Sequence, residues 1–319
     1  MMQVGPAVPP EAVPFGRCWF THVEVLSRTE PAQIVPVSEI TDAERARFAS
    51  AAVAPKLMGI LNTTPDSFSD GGAFDTLETA MAQGQALVDA GADIIDIGGE
   101  STRPGATLVP EDVEIARTAP VIAGLRAIGV TTPISIDTRK ALVAAAALDA
   151  GANIVNDVSG FSFDADLAPL CAARGVPVCL MHAQGEPQTM QQNPTYDDVL
   201  LDVYDALAAR IDMLVSQGIP RNQITADPGI GFGKTLEHNL AILQRISLFH
   251  GLGVPILLGA SRKRFIGTLG NAPEAQDRAP GSVAVALAAI AQGVQIIRAH
   301  DVAEHAQAIA LWRAAVAHP

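Results

Sequence analysis

Nine polar side chains occupy equivalent places in a repeating pattern. Asn62, Asp96, Asp137, Asn156, His182, Asp227, Lys263, Arg298 and His300 each stand at or just past the end of a short apolar run. A carboxylate accepts two N–H bonds side by side, and an amide both donates and accepts. Asp137, Asn156 and Asp227, if brought together, would therefore suit the donor-rich edge of a guanine-like or pterin heterocycle. Lys263, Arg298 and His300 supply cations, which suit a phosphate-bearing ligand and a departing anion. Arg298 and His300 are two residues apart, so on a strand they share a face. Each group also has a plainer reading. Asp137 or Thr138 could cap a helix, as could Asn156 or Asp157, and Asp301 with Glu304 has the spacing of a capping box.

Four loops carry further candidates. NTTPDSFSDGG (62–72) bears Asn62, Asp66, Phe68 and Asp70, and reads either as an ordinary connection or as a lid. GGESTRPGA (98–106) presents Thr102 and Arg103 between Gly and Pro, with a surface ion pair as the alternative role for Arg103. DPGIGFGK (227–234) lacks the spacing of a phosphate-binding P-loop. Its glycines let the backbone approach a flat ligand, and Phe232 offers an apolar face. GASRKRFIG (259–267) places Ser261, Arg262, Lys263 and Arg264 together. That is either a solvated basic face or, after the seventh strand of a barrel, an anion site. G-x-S-x-G, H-E-x-x-H and C-x-x-C are absent, as is G-x-G-x-x-G after a strand.

The elements that must position these residues follow one rhythm from Lys56 onward. A short β-branched or Leu-rich run is followed by a helical stretch, and a Gly closes the helix before the next run. The eight runs are 57–61, 93–99, 133–137, 153–160, 176–182, 224–229, 255–261 and 294–301. Gly91, Gly151, Gly175, Gly218, Gly253 and Gly293 mark the helix-to-strand corners, where a left-handed backbone is often needed. Alternating strands and helices give parallel strands with right-handed crossovers. Eight units predict an α/β chain folded as a (β/α)8 TIM barrel, with an open doubly wound sheet as the alternative. The strand ends then converge on the one face where such barrels work. Residues 1–55 are rich in Pro, with a short strand expected in 18–26 and a short helix in 41–51. They read as an N-terminal extension packing on a barrel of residues 56–319.

Composition narrows the classes. The 319 residues are 49% hydrophobic and 4% aromatic, with a formal net charge of −13. An acidic chain argues against nucleic-acid binding, and no apolar run is long enough for a membrane span. Three cysteines without metal-type spacing, and no secretory leader pattern, point to the cytoplasm.

Taken in order, GILNTTPDSFSDGG, DIGGESTRPGA, SIDTRK, NIVNDVSG, LMHAQGEPQTMQQNPTY, DPGIGFGK, GASRKRF and RAHD resemble the dihydropteroate synthase family of pterin-binding barrels. The likeness spans Lys56 to Asp301 and departs at Ala299, where a larger apolar residue is frequent. It implies condensation of 6-hydroxymethyl-7,8-dihydropterin pyrophosphate with p-aminobenzoate, giving 7,8-dihydropteroate and pyrophosphate in folate biosynthesis. The same likeness would place Asp137, Asn156, Asp227 and Lys263 on the pterin, with Arg298 stacking over it. Asn62, Arg298 and His300 would take the pyrophosphate, with Mg²⁺ held by Asn62 and Asp70. Thr102, Arg103, Pro104, Phe68, Phe232 and Lys263 would form the p-aminobenzoate pocket, where sulfonamides compete. The catalytic set implied is Lys263, Arg298, Asp137, Asp70 and Asn62, and the expected assembly is a homodimer. Two rival readings are a pterin-dependent methyltransferase, which would need neither NTTPDSF nor SRK, and a non-catalytic pterin-binding paralogue.

Overall fold

The computed structural model describes residues 3–4, 8–16, 18–50, 54–64, 73–101, 106–185 and 189–316. The N-terminal part holds β1 (Gln3–Val4), β2 (Val13–Phe15) and β3 (Cys18–Phe20) in one antiparallel sheet. A hairpin of β4 (His22–Val25) and β5 (Gln33–Pro36) follows, then α1 (Asp42–Ser50). The expected strand over 18–26 is thus two, parted at Thr21, whose carbonyl accepts from Val37 N at 2.8 Å. The start of α1 is closed reciprocally. Thr41 N donates to Glu44 Oε2 at 2.8 Å, and Glu44 N donates to Thr41 Oγ1 at 3.2 Å.

Eight parallel strands follow: β6 (Lys56–Asn62), β7 (Ile94–Gly98), β8 (Ile134–Asp137), β9 (Ile154–Asp157), β10 (Val178–Met181), β11 (Ile224–Asp227), β12 (Leu257–Leu258) and β13 (Ile296–Ala299). They pair as β11-β10-β9-β8-β7-β6-β13-β12, and a parallel bridge between Ala226 and Ile256 joins the two ends. Neighbours in sequence are neighbours in the ring, so the sheet closes as a (β/α)8 barrel and the doubly wound alternative falls. The outer helices are α2 (Ala73–Asp89), α3 (Glu111–Ala127), α4 (Ala141–Asp149), α5 (Leu167–Arg174), α6 (Val199–Ser216), α7 (Leu236–Gln244), α8 (Arg264–Leu269), α9 (Ala279–Ile290) and α10 (Val302–Val316). All six corner glycines, and Gly129 before β8, have φ between 62° and 112°. Among the described residues, no helix is long and apolar enough to cross a membrane.

Period-two alternation sorts the strand residues. Leu57 and Leu61 of β6 pack outward into the strand–helix core, as do Ile95, Ile97, Ile136, Val155, Leu180, Ala226 and Ile297. Met58, Ile94, Cys179, Leu257 and Ile296 form a separate cluster that fills the barrel near the strands' N-terminal ends. One or two steps of two further along, the same inner face presents Asn62, Asp96, Asp137, Asn156, Asp227 and Arg298. The interior is therefore apolar below and polar at the mouth.

The N-terminal part packs at the other end. Phe15, 2% exposed, lies against His250 with ring centroids 4.5 Å apart. Cys18 Sγ approaches the carbonyls of Ile290 and Ala291, just before β13. Exposed ion pairs of Arg28 with Asp202 and Asp205 add little by themselves.

Candidate active site

At the mouth of the barrel, Arg298 of β13 lies between two carboxylates. Its Nε donates to Asp96 Oδ2 and its Nη2 to Asp137 Oδ2, each at 2.6 Å. Asn156 Nδ2 also donates to Asp96 Oδ2, at 3.2 Å. Burial alone would lower Arg298, but Asp96 and Asp137 overcome it and hold the guanidinium above its ordinary range. Burial pushes Asp137 up, with Arg298 pulling it down and Asp96 adding to the rise. Asp227 is likewise raised by burial, and its Oδ1 accepts from Gly229 N at 2.7 Å. Asp96 is fully buried, and its Oδ1 has no partner. An acceptor left free in the interior costs stability, so this oxygen is poised for a ligand donor. By sequence Asp96 is a strand-end group with no assigned role. The signal was its place in DIIDIGG, an even step from inward-facing Ile94.

The capping alternatives separate cleanly. Asp137 faces Arg298, and the amide of Ala141 at the start of α4 donates instead to Asp164 Oδ2 at 2.7 Å. Asp157, next to Asn156, turns to the loop and accepts from Ser159 N and Phe161 N, both at 2.7 Å. The carboxylate of Asp301 pairs with the Arg262 guanidinium through both oxygens, where a capping box with Glu304 was expected.

Lys263 Nζ stands 4.1 Å from the Phe232 ring centroid and donates to Ile230 O. Burial pushes this amine down to about 8, with Asp227 pulling it back up. The preceding residue, Arg262, has a left-handed backbone with φ 58°. Its N donates to Ser282 Oγ at 2.9 Å, and its carbonyl accepts from Arg278 Nη1 at 3.0 Å. Those bonds and the Asp301 pair hold a conformation that costs a side-chain-bearing residue about 1 kcal/mol. The turn lets Ser261 meet His300 Nδ1 at 3.1 Å.

Lys140 is the N-cap residue of α4, its N donating to Thr138 Oγ1 at 3.3 Å, but the side chains of Thr138, Arg139 and Lys140 mainly serve a buried ionic group. Glu100 accepts from Val109 N at 2.9 Å, Arg139 Nε at 3.0 Å and Lys140 Nζ at 3.2 Å. Lys140 also donates to Val109 O at 2.7 Å and to Glu114 Oε2 at 2.5 Å, while Thr138 Oγ1 donates to Glu114 Oε1 at 2.7 Å. This buried group joins Glu100 to Val109 across the second loop. Burial would raise Glu100, but Arg139, the Val109 amide and Lys140 together outweigh it and hold the carboxylate low, whereas burial raises Glu114. Asn62 ends β6 beside Gly98, half-buried. Asp66, Phe68, Asp70, Thr102, Arg103 and Pro104 lie outside the described residues.

The pterin binding enzyme family profile matches residues 58–300, the span that supplies every inward-facing group above. The chain belongs to the dihydropteroate synthase family. It is 47% identical over 261 residues to dihydropteroate synthase of Synechocystis sp., covering 81% of this chain and 90% of that one. It is 46% identical over 252 residues to the Bacillus subtilis dihydropteroate synthase, covering 79% and 85%. A Xanthomonas albilineans dihydropteroate synthase solved with 4-aminobenzoic acid superposes with a TM-score of 0.79 at 44% identity, over 83% of this chain and 94% of that one. The barrel thus has the dihydropteroate synthase fold. The segment before Lys56 lies outside the matched profile.

Proposed function

We propose that this chain is a dihydropteroate synthase, joining 6-hydroxymethyl-7,8-dihydropterin pyrophosphate to p-aminobenzoate with release of pyrophosphate. The observation that carries the reading is Arg298 held between Asp96 and Asp137 at the polar mouth of a closed barrel, with Asn156 and Asp227 on the same inner face. A pterin presents its ring amide and amino donors as an edge, which Asp137, Asn156 and Asp227 accept, with Lys263 beside them. Arg298 stacks over the ring and, with Asn62 and His300, faces the pyrophosphate. Phe232, with Phe68, Thr102, Arg103 and Pro104 from the first two loops, and Lys263 line the p-aminobenzoate pocket.

The chemistry needs charge neutralisation more than a nucleophilic side chain. The C–O bond between the pterin methylene and pyrophosphate breaks first, because the electron-rich dihydropterin delocalises the positive charge left behind. The amine nitrogen of p-aminobenzoate then bonds to that carbon and loses a proton. Catalysis is assigned to Lys263, Arg298, Asp137, Asn62 and Asp70. Asn62, an oxygen donor at a strand end, fits Mg²⁺, which takes few protein ligands and keeps substrate phosphates and water. The family resemblance assigns Asn62 with Asp70 as the pair that would hold it. Bound there, Mg²⁺ would offset the charge of the departing pyrophosphate.

Residues 56–319 act as the pterin-binding barrel and 1–55 as its extension. The protein works as a cytoplasmic homodimer on small molecules and is a target of sulfonamides. A Yersinia pestis dihydropteroate synthase solved with a sulfonamide drug supports that last reading. The deciding assay follows pyrophosphate released from the pterin pyrophosphate with and without p-aminobenzoate. Arylamine-dependent release with dihydropteroate as product is expected, and no release under either condition would return the reading to a non-catalytic pterin-binding protein.

A further inference from the structure

The segment Asp227–Lys234 is bound at every carbonyl from Ile230 to Gly233. Ile230 O accepts from Lys263 Nζ, Gly231 O from Gln191 Nε2 at 2.5 Å, Phe232 O from Lys234 Nζ at 3.0 Å and Gly233 O from the Tyr196 hydroxyl at 2.7 Å. Gly231 N donates to Asn239 Oδ1 at 2.7 Å. The segment also lies hard against the chain after β10. A Cβ on Gly229 would stand 1.9 Å from His182 O, and one on Gly233 would stand 2.3 Å from Gln184 O. Phe232 is gripped at both ends, its ring by Lys263 and its carbonyl by Lys234.

Lys234 is 2% exposed. Its ammonium is held by neutral acceptors: His182 Nδ1 at 2.9 Å, Phe232 O at 3.0 Å and His182 O at 3.4 Å. Burial pushes Lys234 down to about 7, with Asp227 pulling it back up; as the ammonium it has no lone pair, so His182 Nδ1 then accepts and the imidazole proton sits on Nε2. Burial and the neighbouring Lys234 charge keep His182 neutral, down to about 3. A buried cation bonded to two segments holds them in register, because any separation strands its donors and their carbonyls without partners.

We propose that Lys234 is a positioning residue for the arylamine pocket: by tying the Phe232 carbonyl to His182 at the end of β10, it sets where the Phe232 ring stands. This rests on the reading of Phe232 as part of the p-aminobenzoate pocket. Lys234 acts through Phe232 and touches neither substrate.

The test is steady-state kinetics on the full chain for K234M, F232A and the double variant, with folding checked by circular dichroism. K234M is expected to raise the KM for p-aminobenzoate about tenfold, leaving the KM for the pterin pyrophosphate within about twofold. In the F232A background it is expected to add less than about twofold, since the two changes act through one ring. Equal rises in both KM values, or an effect that adds in full to F232A, overturn the proposal. F232A with an unchanged p-aminobenzoate KM would instead overturn the underlying placement of Phe232. Should K234M fail to fold, K234Q, of similar length and still able to donate to one carbonyl, is measured in the same way with the same expectations.

Discussion

Arg298 Nη2 donates to Asp137 Oδ2 at 2.6 Å across the barrel mouth, linking residues 161 apart in the chain. The pair places a permanent cation beside a carboxylate that burial pushes upward. The carboxylate can therefore turn to a ligand's N–H donors only in a pocket whose charge Arg298 already balances. Asp137→Asn removes the charge and offers an N–H where the pterin also donates. The affinity for dihydropterin pyrophosphate is expected to fall between about tenfold and a hundredfold, the cost of a charged hydrogen bond in a buried site. Isothermal titration checks it, and an affinity within about twofold of the parent would remove Asp137 from the pterin pocket.

Lys263 sets an alkaline limit. Its amine is pushed down to about 8 by burial, and the cation is the form that faces a leaving anion and the Phe232 ring. Turnover is expected to fall as pH rises through about 8, and Lys263→Arg should move that limb upward if the variant retains activity. The stability effect has the opposite sign. Between about 8 and the ordinary lysine value the unfolded chain binds more protons than the folded one, so this residue's contribution to stability rises with pH. A melting temperature that drops together with activity across that window would show unfolding rather than titration. Lys263→Ala should abolish turnover in a chain that still folds.

Lys140 neutralises two buried carboxylates at the base of the second loop. Lys140→Met strands Glu114, which is 0% exposed, and is expected to cost about 3–5 kcal/mol. Since burial already raises Glu114, protonation at low pH should recover part of the loss. The double change with Glu114→Gln should cost less than Lys140→Met alone. Chemical denaturation of the three variants reads this directly, and a single variant as stable as the parent would contradict it.

Phe15 is the anchor of the N-terminal part on the barrel. It contacts His250, and its ring would be 2.7 Å from a Cβ placed on Gly293. Phe15→Ala is expected to lower stability by about 3–5 kcal/mol, with KM values for both substrates unchanged, because the contact lies at the end of the barrel away from the mouth. Thermal melting and kinetics test the two halves. A change in KM without a change in melting would give the extension a functional role instead.

Much of this was legible in one dimension. The eight apolar runs, the corner glycines and the polar residue at each strand end are local patterns, because strand alternation and helix closure depend on neighbours a few residues away. Those patterns placed Asn156, Asp227, Lys263 and Arg298 at one mouth once a closed barrel was assumed. The N-terminal extension was less legible. Its strands are two to four residues long, too short for a period to declare itself.

What only the folded chain decided is which charges face one another. Arg298 and Asp96 are 202 residues apart, and no local rule pairs them. Their contact follows from closure, which sets β13 beside β6 and so brings β7 within reach inside the ring. Pairing of β7 with β8 brings Thr138, Arg139 and Lys140, which lead into α4, against Glu100 and Glu114 beneath the second loop. Pairing of β10 with β11 likewise sets Lys234, at the tail of a glycine-rich loop, as a buried amine between two segments. Side-chain period dictates the face on which a residue stands. The partner it meets there depends on the three-dimensional ring, where burial makes every unpaired charge costly and so selects one arrangement.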